Sequence, residues 1–262
     1  MPVLMHLSDL HFGAHDPRVC AAAQRLAHRL DVSMAVVSGD LTQRATASQF
    51  EQAARFVRGL HARSTLVLAG NHDLPLFAWW MRWGRSYERF AQQFGVDHEP
   101  VRQAGAFYVV GVNTTRPWRH ERGSLSSAQI QHVSALLARA PPDAWRIVAS
   151  HHPLVARDAE DRAHRPQRAD EALRCWRAAG AHMLLSGHAH EPGLLQPLPG
   201  LWASRAGTAV SHRVRHGNPN SLVVLSVEAS SAAGDGWARW AARWDYNAAT
   251  QEFLCVLRQP LS

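Results

Sequence analysis

Two patterns of apolar positions alternate along the first 190 residues. Val3–Leu7, Ala35–Ser38, Leu66–Ala69, Phe107–Val112, Ile147–Ala149 and Met183–Ser186 are short apolar runs that stop at small or polar residues, the signature of buried strands. Between them, Val19, Ala23, Leu26 and Leu30 follow helical spacing, as do Phe50, Ala54, Val57 and Leu60, and Ile130, Val133 and Leu137. Thr46-x-x-Gln49 and Ser126-x-x-Gln129 have the form of capping boxes at two helix starts. Beyond residue 193 the helical signals fade. Leu201–Ser204, Leu222–Val227, Trp237–Trp244 and Phe253–Arg258 read as mostly antiparallel strands, with Ser230–Gly236 as a hairpin loop. The pattern predicts an α/β chain forming one domain over residues 1–262. Its expected architecture is a four-layer α/β/β/α sandwich, two packed mixed β-sheets flanked by helices. Residues 193–262 are expected to supply mostly strands of the second sheet.

Composition narrows the class. Of 262 residues, 46% are hydrophobic and 19% charged, which excludes a disordered chain. No apolar run approaches the roughly 18–20 residues that span a bilayer. The start, Met1–Leu7, has neither a basic n-region nor a long apolar h-region. Cys20, Cys175 and Cys255 are odd in number and far apart, so no disulfide framework is expected and a reducing cytoplasm fits. The net charge of +7 comes from 28 arginines, no lysines and 21 acids. The arginines are scattered rather than striped, which reads as a compositional bias more than as a nucleic-acid footprint. The 17 histidines recur in particular local contexts.

Five apolar runs end alike: the run stops, one to three small or polar residues follow, and a metal-type ligand comes next. These endings are Ser8-Asp9-Leu10-His11, Gly39-Asp40, Gly70-Asn71-His72-Asp73, Ser150-His151-His152-Pro153 and Gly187-His188-Ala189-His190. In an α/β sheet the crevice outside the carboxyl ends of the strands is the usual site, and five strand ends would deliver ligands into it. Asp9/His11 and His188/His190 are spaced i, i+2, which in extended backbone puts both side chains on one side. Gly39, Gly70 and Gly187 allow sharp turns and close backbone approach. The set is carboxylate, imidazole and one amide without thiolate, which suits Mn, Fe or Zn and not copper(I) or an iron–sulfur cluster. Seven ligands are enough for two divalent metal ions with Asp40 between them. Such a pair, about 3.5–4 Å apart, activates a bridging hydroxide for in-line displacement at phosphorus.

In order and spacing, Asp9-x-His11, Gly39-Asp40, Gly70-Asn71-His72-Asp73, His151-x-Pro153 and Gly187-His188-x-His190 resemble the five signature blocks of the calcineurin-like metallophosphoesterases. The resemblance implies a β-sandwich flanked by helices with a dinuclear centre at the strand ends. By position, Asp9, His11 and His190 would bind one metal and Asn71, His151 and His188 the other, with Asp40 bridging. His72 would be no ligand; it would contact the phosphate and protonate the leaving group. Leu7–Gly13, Ser38–Thr42, Gly111–Thr114 and Gly207–Ala209 look most like the bacterial class III cyclic-nucleotide phosphodiesterase group. The expected function is hydrolysis of a phosphodiester, such as a 3',5'-cyclic nucleotide, by attack of the metal-bridging hydroxide. Three rivals stand beside it: a DNA exonuclease of the same superfamily, a phosphodiesterase or pyrophosphatase for a lipid-linked substrate, and a non-catalytic adaptor on this fold. Adaptors tend to lose ligands, and here all seven and His72 are present.

Other positions carry weaker signals. His152 would point away from its neighbour His151 in extended backbone, so it reads as a hydrogen-bonded supporting or surface histidine. Asp73 either orients His72 or is a turn residue before Pro75. Phe77, Trp79, Trp80, Met81 and Trp83 read as a helix packed on the domain or on a second subunit of a homo-oligomer. The alternatives are contact with substrate or peripheral membrane contact through Trp79–Trp83. Arg116, Arg119 and His120 either meet a phosphodiester or belong to a solvated loop. Ala156–Arg168 reads as a solvated loop, with a lid as the alternative. His6, His28, His61, His132 and His164 receive no function.

Overall fold

A computed structural model describes residues 1–75, 85–119, 121–215, 217–230 and 237–261. The predicted helices begin where their caps place them. The first, α1 (Pro17–Arg29), starts after Asp16, whose side chain accepts from the Arg18 amide, and carries Pro17 in its first turn. Its Val19, Ala22, Ala23, Leu26 and Ala27 form one buried face. Of the two expected capping boxes only one closes. At α4 (Ser127–Ala138), Ser126 and Gln129 satisfy each other's amides. At α2 (Ala47–Arg58), Thr46 accepts from the Gln49 amide, but the Gln49 side chain turns to the Arg44 amide instead.

The strands form two six-stranded sheets. One sheet contains β1 (Val3–Leu7), β2 (Met34–Val37), β3 (Ser64–Val67), β10 (Ser221–Ala229), β11 (Trp237–Asn247) and β12 (Glu252–Leu261), ordered β12-β11-β10-β1-β2-β3. The other contains β4 (Val101–Ala104), β5 (Phe107–Val112), β6 (Trp145–Ser150), β7 (Met183–Ser186), β8 (Gly193–Leu198) and β9 (Leu201–Arg205), ordered β4-β5-β6-β7-β9-β8. Strands β1, β2 and β3 are parallel, as are β5, β6, β7 and β9, while the outer strands are antiparallel. Both sheets are therefore mixed. Between them lies a core that includes Leu4, Val36, Phe107, Ile147, Leu185 and Leu225. Outside the first sheet pack α1, α2 and Phe90 of α3 (Glu88–Phe94). Outside the second pack α4 and α5 (Ala169–Ala178). The four-layer α/β/β/α sandwich follows from strands that bury both faces.

The C-terminal strands differ from expectation. Residues 193–262 do not build mostly the second sheet: β8 and β9 join β7, whereas β10–β12 extend the sheet of β1. The reason lies in β10. Leu222 and Val224 face the helix-side core and Val223, Leu225 and Val227 face the inter-sheet core, so the strand belongs at a sheet centre beside β1. Four elements escaped the sequence pattern. Helix α3 buries only Phe90, β4 and β8 bury no residue fully, and α5 follows a charge-dense stretch. The aromatic run Phe77–Trp83, His120 and most of the Ser230–Gly236 hairpin lie outside the described residues. Among the described residues, no helix is long and apolar enough to cross a membrane.

Candidate metal centre

The loops after β1, β2 and β3 carry Asp9 and His11, Asp40, and Asn71 and His72; those after β6 and β7 carry His151, and His188 and His190. Three loops come from one sheet and two from the other, and they meet where the two rims adjoin. Backbone bonds tie them together. Asp9 N donates to Gly39 O (3.1 Å), His11 N to Asp40 O (2.9 Å), and Gly187 N to His151 O (3.0 Å). The His188 amide donates to Asp9 Oδ2 at 3.1 Å.

The pairs Asp9/His11 and His188/His190 are not in extended backbone, which corrects the i, i+2 argument. Their φ angles are 55° and 44°, and 68° and 57°, and Asp40 sits at 50°. Five of the seven expected ligands thus occupy the left-handed region, which costs about 1–3 kcal/mol each and persists only where surroundings enforce it. Glycine lets the loops close. A Cβ on Gly187 would come within 1.8 Å of Ser8 Oγ and 2.5 Å of Asp9 Oδ2, and one on Gly70 within 2.2 Å of Asp40 N.

All seven expected ligands converge, in two sets that share Asp40. Asp9, His11, Asp40 and His190 each offer one ligand atom, all within 4.8 Å of one another. His11 Nε2 lies 3.2 Å from His190 Nε2 and 3.6 Å from Asp40 Oδ2, and His190 Nε2 lies 3.3 Å from Asp9 Oδ1. On the other side, Asn71 Oδ1 is 3.0 Å from both His151 Nε2 and His188 Nδ1, and His151 Nε2 is 3.4 Å from Asp40 Oδ1. The two oxygens of Asp40 therefore face different sets.

For His151 and His190, supporting hydrogen bonds select the ring nitrogen that faces the cluster. His151 Nδ1 donates to Ser38 O (2.9 Å) and His190 Nδ1 to Arg213 O (2.6 Å), so each turns a bare Nε2 inward. Asp9 Oδ1 is buried and accepts no hydrogen bond. Bare acceptors crowded around one point are unfavourable by themselves and fit a cation in their midst. The oxygen and imidazole set suits a divalent ion such as Mn, Fe or Zn. Burial holds His11 and His188 well below the ordinary imidazole value and raises Asp9. At Asp40 burial pushes upward, but His151 and His11 outweigh it and the carboxyl is lowered.

Asp73 does not touch the His72 ring. Its carboxylate accepts from the amides of Gly70 (2.8 Å), Leu41 (3.0 Å) and Thr42 (2.9 Å) and from Thr42 Oγ1 (2.8 Å), clamping the third loop to the second. Burial, then the nearby Asp40 charge, raises it, and these donors pull back. His152 is interior, bonded to Thr114 Oγ1 (2.8 Å) and Glu121 O (3.2 Å), and burial lowers it to about 3. Arg116 is structural: it donates to Asn113 O, Thr115 O and Gln129 Oε1. Ala156–Arg168 is no free lid. Asp161 within it accepts from the Arg157 amide (2.9 Å) and pairs with buried Arg205 (2.6 Å).

Above the ligand cluster opens a cleft of about 490 Å³, with His72 on its wall. His72 Nδ1 lies 3.2 Å from Gln43 O, and its Nε2 lies 3.2 Å from Arg213 Nη1. Arg122, His164, Arg213 and Arg215 line the cleft too, and the sequence reading missed them. Only their closeness in sequence to ligand blocks or to the Gly207–Ala209 segment could have flagged any of them.

Comparison with known proteins matches this geometry to a fold. The chain is similar to a purple acid phosphatase from yellow lupin (Lupinus luteus) seeds, with a TM-score of 0.72 and 14% identity over 100% of this chain and 53% of that one. This chain therefore spans about half the length of the lupin protein. It is similar to a dimetal phosphatase from Danio rerio, with a TM-score of 0.69 and 12% identity over 100% and 98% of the two chains. Vps29 from Entamoeba histolytica, complexed with Zn²⁺, gives a TM-score of 0.52 and 16% identity over 99% of each. No curated protein matches the chain in sequence. The family model for calcineurin-like phosphoesterases matches residues 2–192, well over half of the polypeptide and every loop from Asp9 to His190, and the chain belongs to that family.

Proposed function

We propose that this chain is a dinuclear metal-dependent phosphodiesterase, with 3',5'-cyclic nucleotides as the first substrates to test. Asp40 carries the reading: a buried carboxylate whose two oxygens face two separate ligand sets serves a pair of ions. Asp9, His11 and His190 would hold one ion, Asn71, His151 and His188 the other, and Asp40 both. When bound, such a pair supplies Lewis acidity toward phosphoryl oxygens and a nucleophile drawn from water. Arg213 stands where it can meet a non-bridging phosphoryl oxygen. His72 is the candidate acid. Its Nδ1 is committed to Gln43 O, so the proton for a leaving alkoxide must sit on Nε2, and Arg213 must then shift from that nitrogen to the substrate.

The test is a screen of purified protein with Mn²⁺, Fe²⁺ or Zn²⁺, and with a chelator. Substrates are cyclic AMP, bis(p-nitrophenyl) phosphate, p-nitrophenyl phosphate and single-stranded DNA. Metal-dependent turnover of the diesters is expected. Degradation of DNA alone moves the reading to an exonuclease, and failure to bind any divalent ion moves it to an adaptor.

A further inference from the structure

The cleft carries more positive charge than a single phosphodiester needs. Two divalent ions held by Asp9 and Asp40 would leave a surplus of about two positive charges, or about one with a hydroxide nucleophile bound. Arg122, Arg213 and Arg215 add to it, with Glu121 as the opposing carboxylate of the outer wall. Among the described residues none of these arginines has a carboxylate partner, whereas Arg157 and Arg205 nearby are tied to Glu191 and Asp161. Three loops bring the outer charges toward His188. Arg215 Nη1 lies 3.5 Å from the carbonyl of Ala189, between His188 and His190. Arg122 follows Glu121, whose carbonyl meets His152, and the His152 ring packs 4.5 Å from that of His188. The His164 ring stands 5.2 Å from the same imidazole.

We infer that Arg122 and Arg215 form a second anion subsite, which takes a phosphoryl group of the substrate other than the one hydrolysed. The favoured substrate is then a small phosphodiester bearing a further phosphate rather than a bare cyclic nucleotide. A cleft of about 490 Å³ has room for such a nucleotide-sized molecule. The inference rests on the phosphodiesterase reading for its chemistry, but the binding it describes stands apart from turnover.

The test compares thymidine 5'-(p-nitrophenyl phosphate) with the same ester carrying a 3'-phosphate, using metal-loaded protein. The added phosphate is expected to raise kcat/KM at least tenfold, mainly through KM. That advantage should fall to about onefold in the Arg122→Ala/Arg215→Ala double variant and persist in Arg102→Ala, whose arginine lies on the distant strand β4. A ratio near one in the native protein, or one that survives the double variant, overturns the subsite. If neither ester is hydrolysed, the phosphodiesterase reading fails and calorimetry decides the subsite alone. Thymidine 3',5'-bisphosphate should bind at least tenfold more tightly than thymidine 5'-phosphate, and only while both arginines are present; equal affinities overturn it. Strong competition by a dT8 oligonucleotide assigns the second phosphate to a nucleic-acid chain, and no competition assigns it to a small ester.

Discussion

At Asp40, a single side chain links the two halves of the centre. Its Oδ1 faces His151 and accepts from the His72 amide (2.8 Å), while Oδ2 faces His11. If the proposed pair of ions shares this carboxylate, Asp40→Ala should empty both sites together and lower turnover at least ~100-fold. Metal analysis beside an activity assay checks this; full activity with two ions bound would reject the bridging role. His72 predicts a different pattern. It stands on the cleft wall outside both ligand sets, so His72→Ala should keep both metals and lose rate, on the order of 10²-fold for an alkyl ester. The loss should be smaller for p-nitrophenolate, which needs no proton to leave. Equal losses for the two esters would remove the acid role and leave His72 as a phosphate contact.

Elements carry their own, separable contributions. Helix α1 starts at Asp16, which accepts from Arg18 N at 2.8 Å and from Arg18 Nη2 at 2.9 Å. The side-chain bond from Arg18, more than the cap bond or the charge, lowers the Asp16 carboxyl to about 2. The unfolded value is about 3.9. A folded value below the unfolded one means the stabilisation is complete above pH ~4 and is lost as pH falls toward 2. Because Arg18 is largely exposed, its charge is screened and the cap bond remains the durable part. Asp16→Asn should keep the cap but flatten the stability profile between pH 4 and 2, whereas Asp16→Ala should also cost about 1 kcal/mol at neutral pH. Urea unfolding across that range separates the two. A pH profile for Asp16→Asn identical to that of the native protein would contradict the assignment.

Considered as a whole, the molecule converges bare acceptors from both sheets on one buried point. Cations that bind there should stabilise the fold, because they bind the native chain and not the unfolded one. At a hundredfold excess over Kd the gain is about 2.7 kcal/mol, or roughly 5–10 °C in Tm for a domain of this size. Calorimetry with Mn²⁺ and with a chelator should show that shift and its reversal. Asp40→Ala should show little of either, and a metal response unchanged in that variant would place the ions elsewhere.

The periodicities were enough to locate β1, β5 and β7 to the residue, because strands buried on both faces leave nearly continuous apolar runs. They also marked the starts of α2 and α4, whose caps are local chemistry. The recurring endings pointed to Asp9, His11, Asp40, Asn71, His151, His188 and His190 as candidate ligands, and the fold brings the seven together because each follows directly on its strand. Local pattern could not assign β10 to the sheet of β1, because register and sheet membership are settled by which apolar face finds which core. Nor could it foresee left-handed backbone at Asp9, Asp40 and His188, a conformation that only the packing of neighbouring loops enforces. Arg122, His164 and Arg213 remained hidden for the same reason: they reach one cleft from loops far apart in the chain, and only tertiary folding brings their charges together.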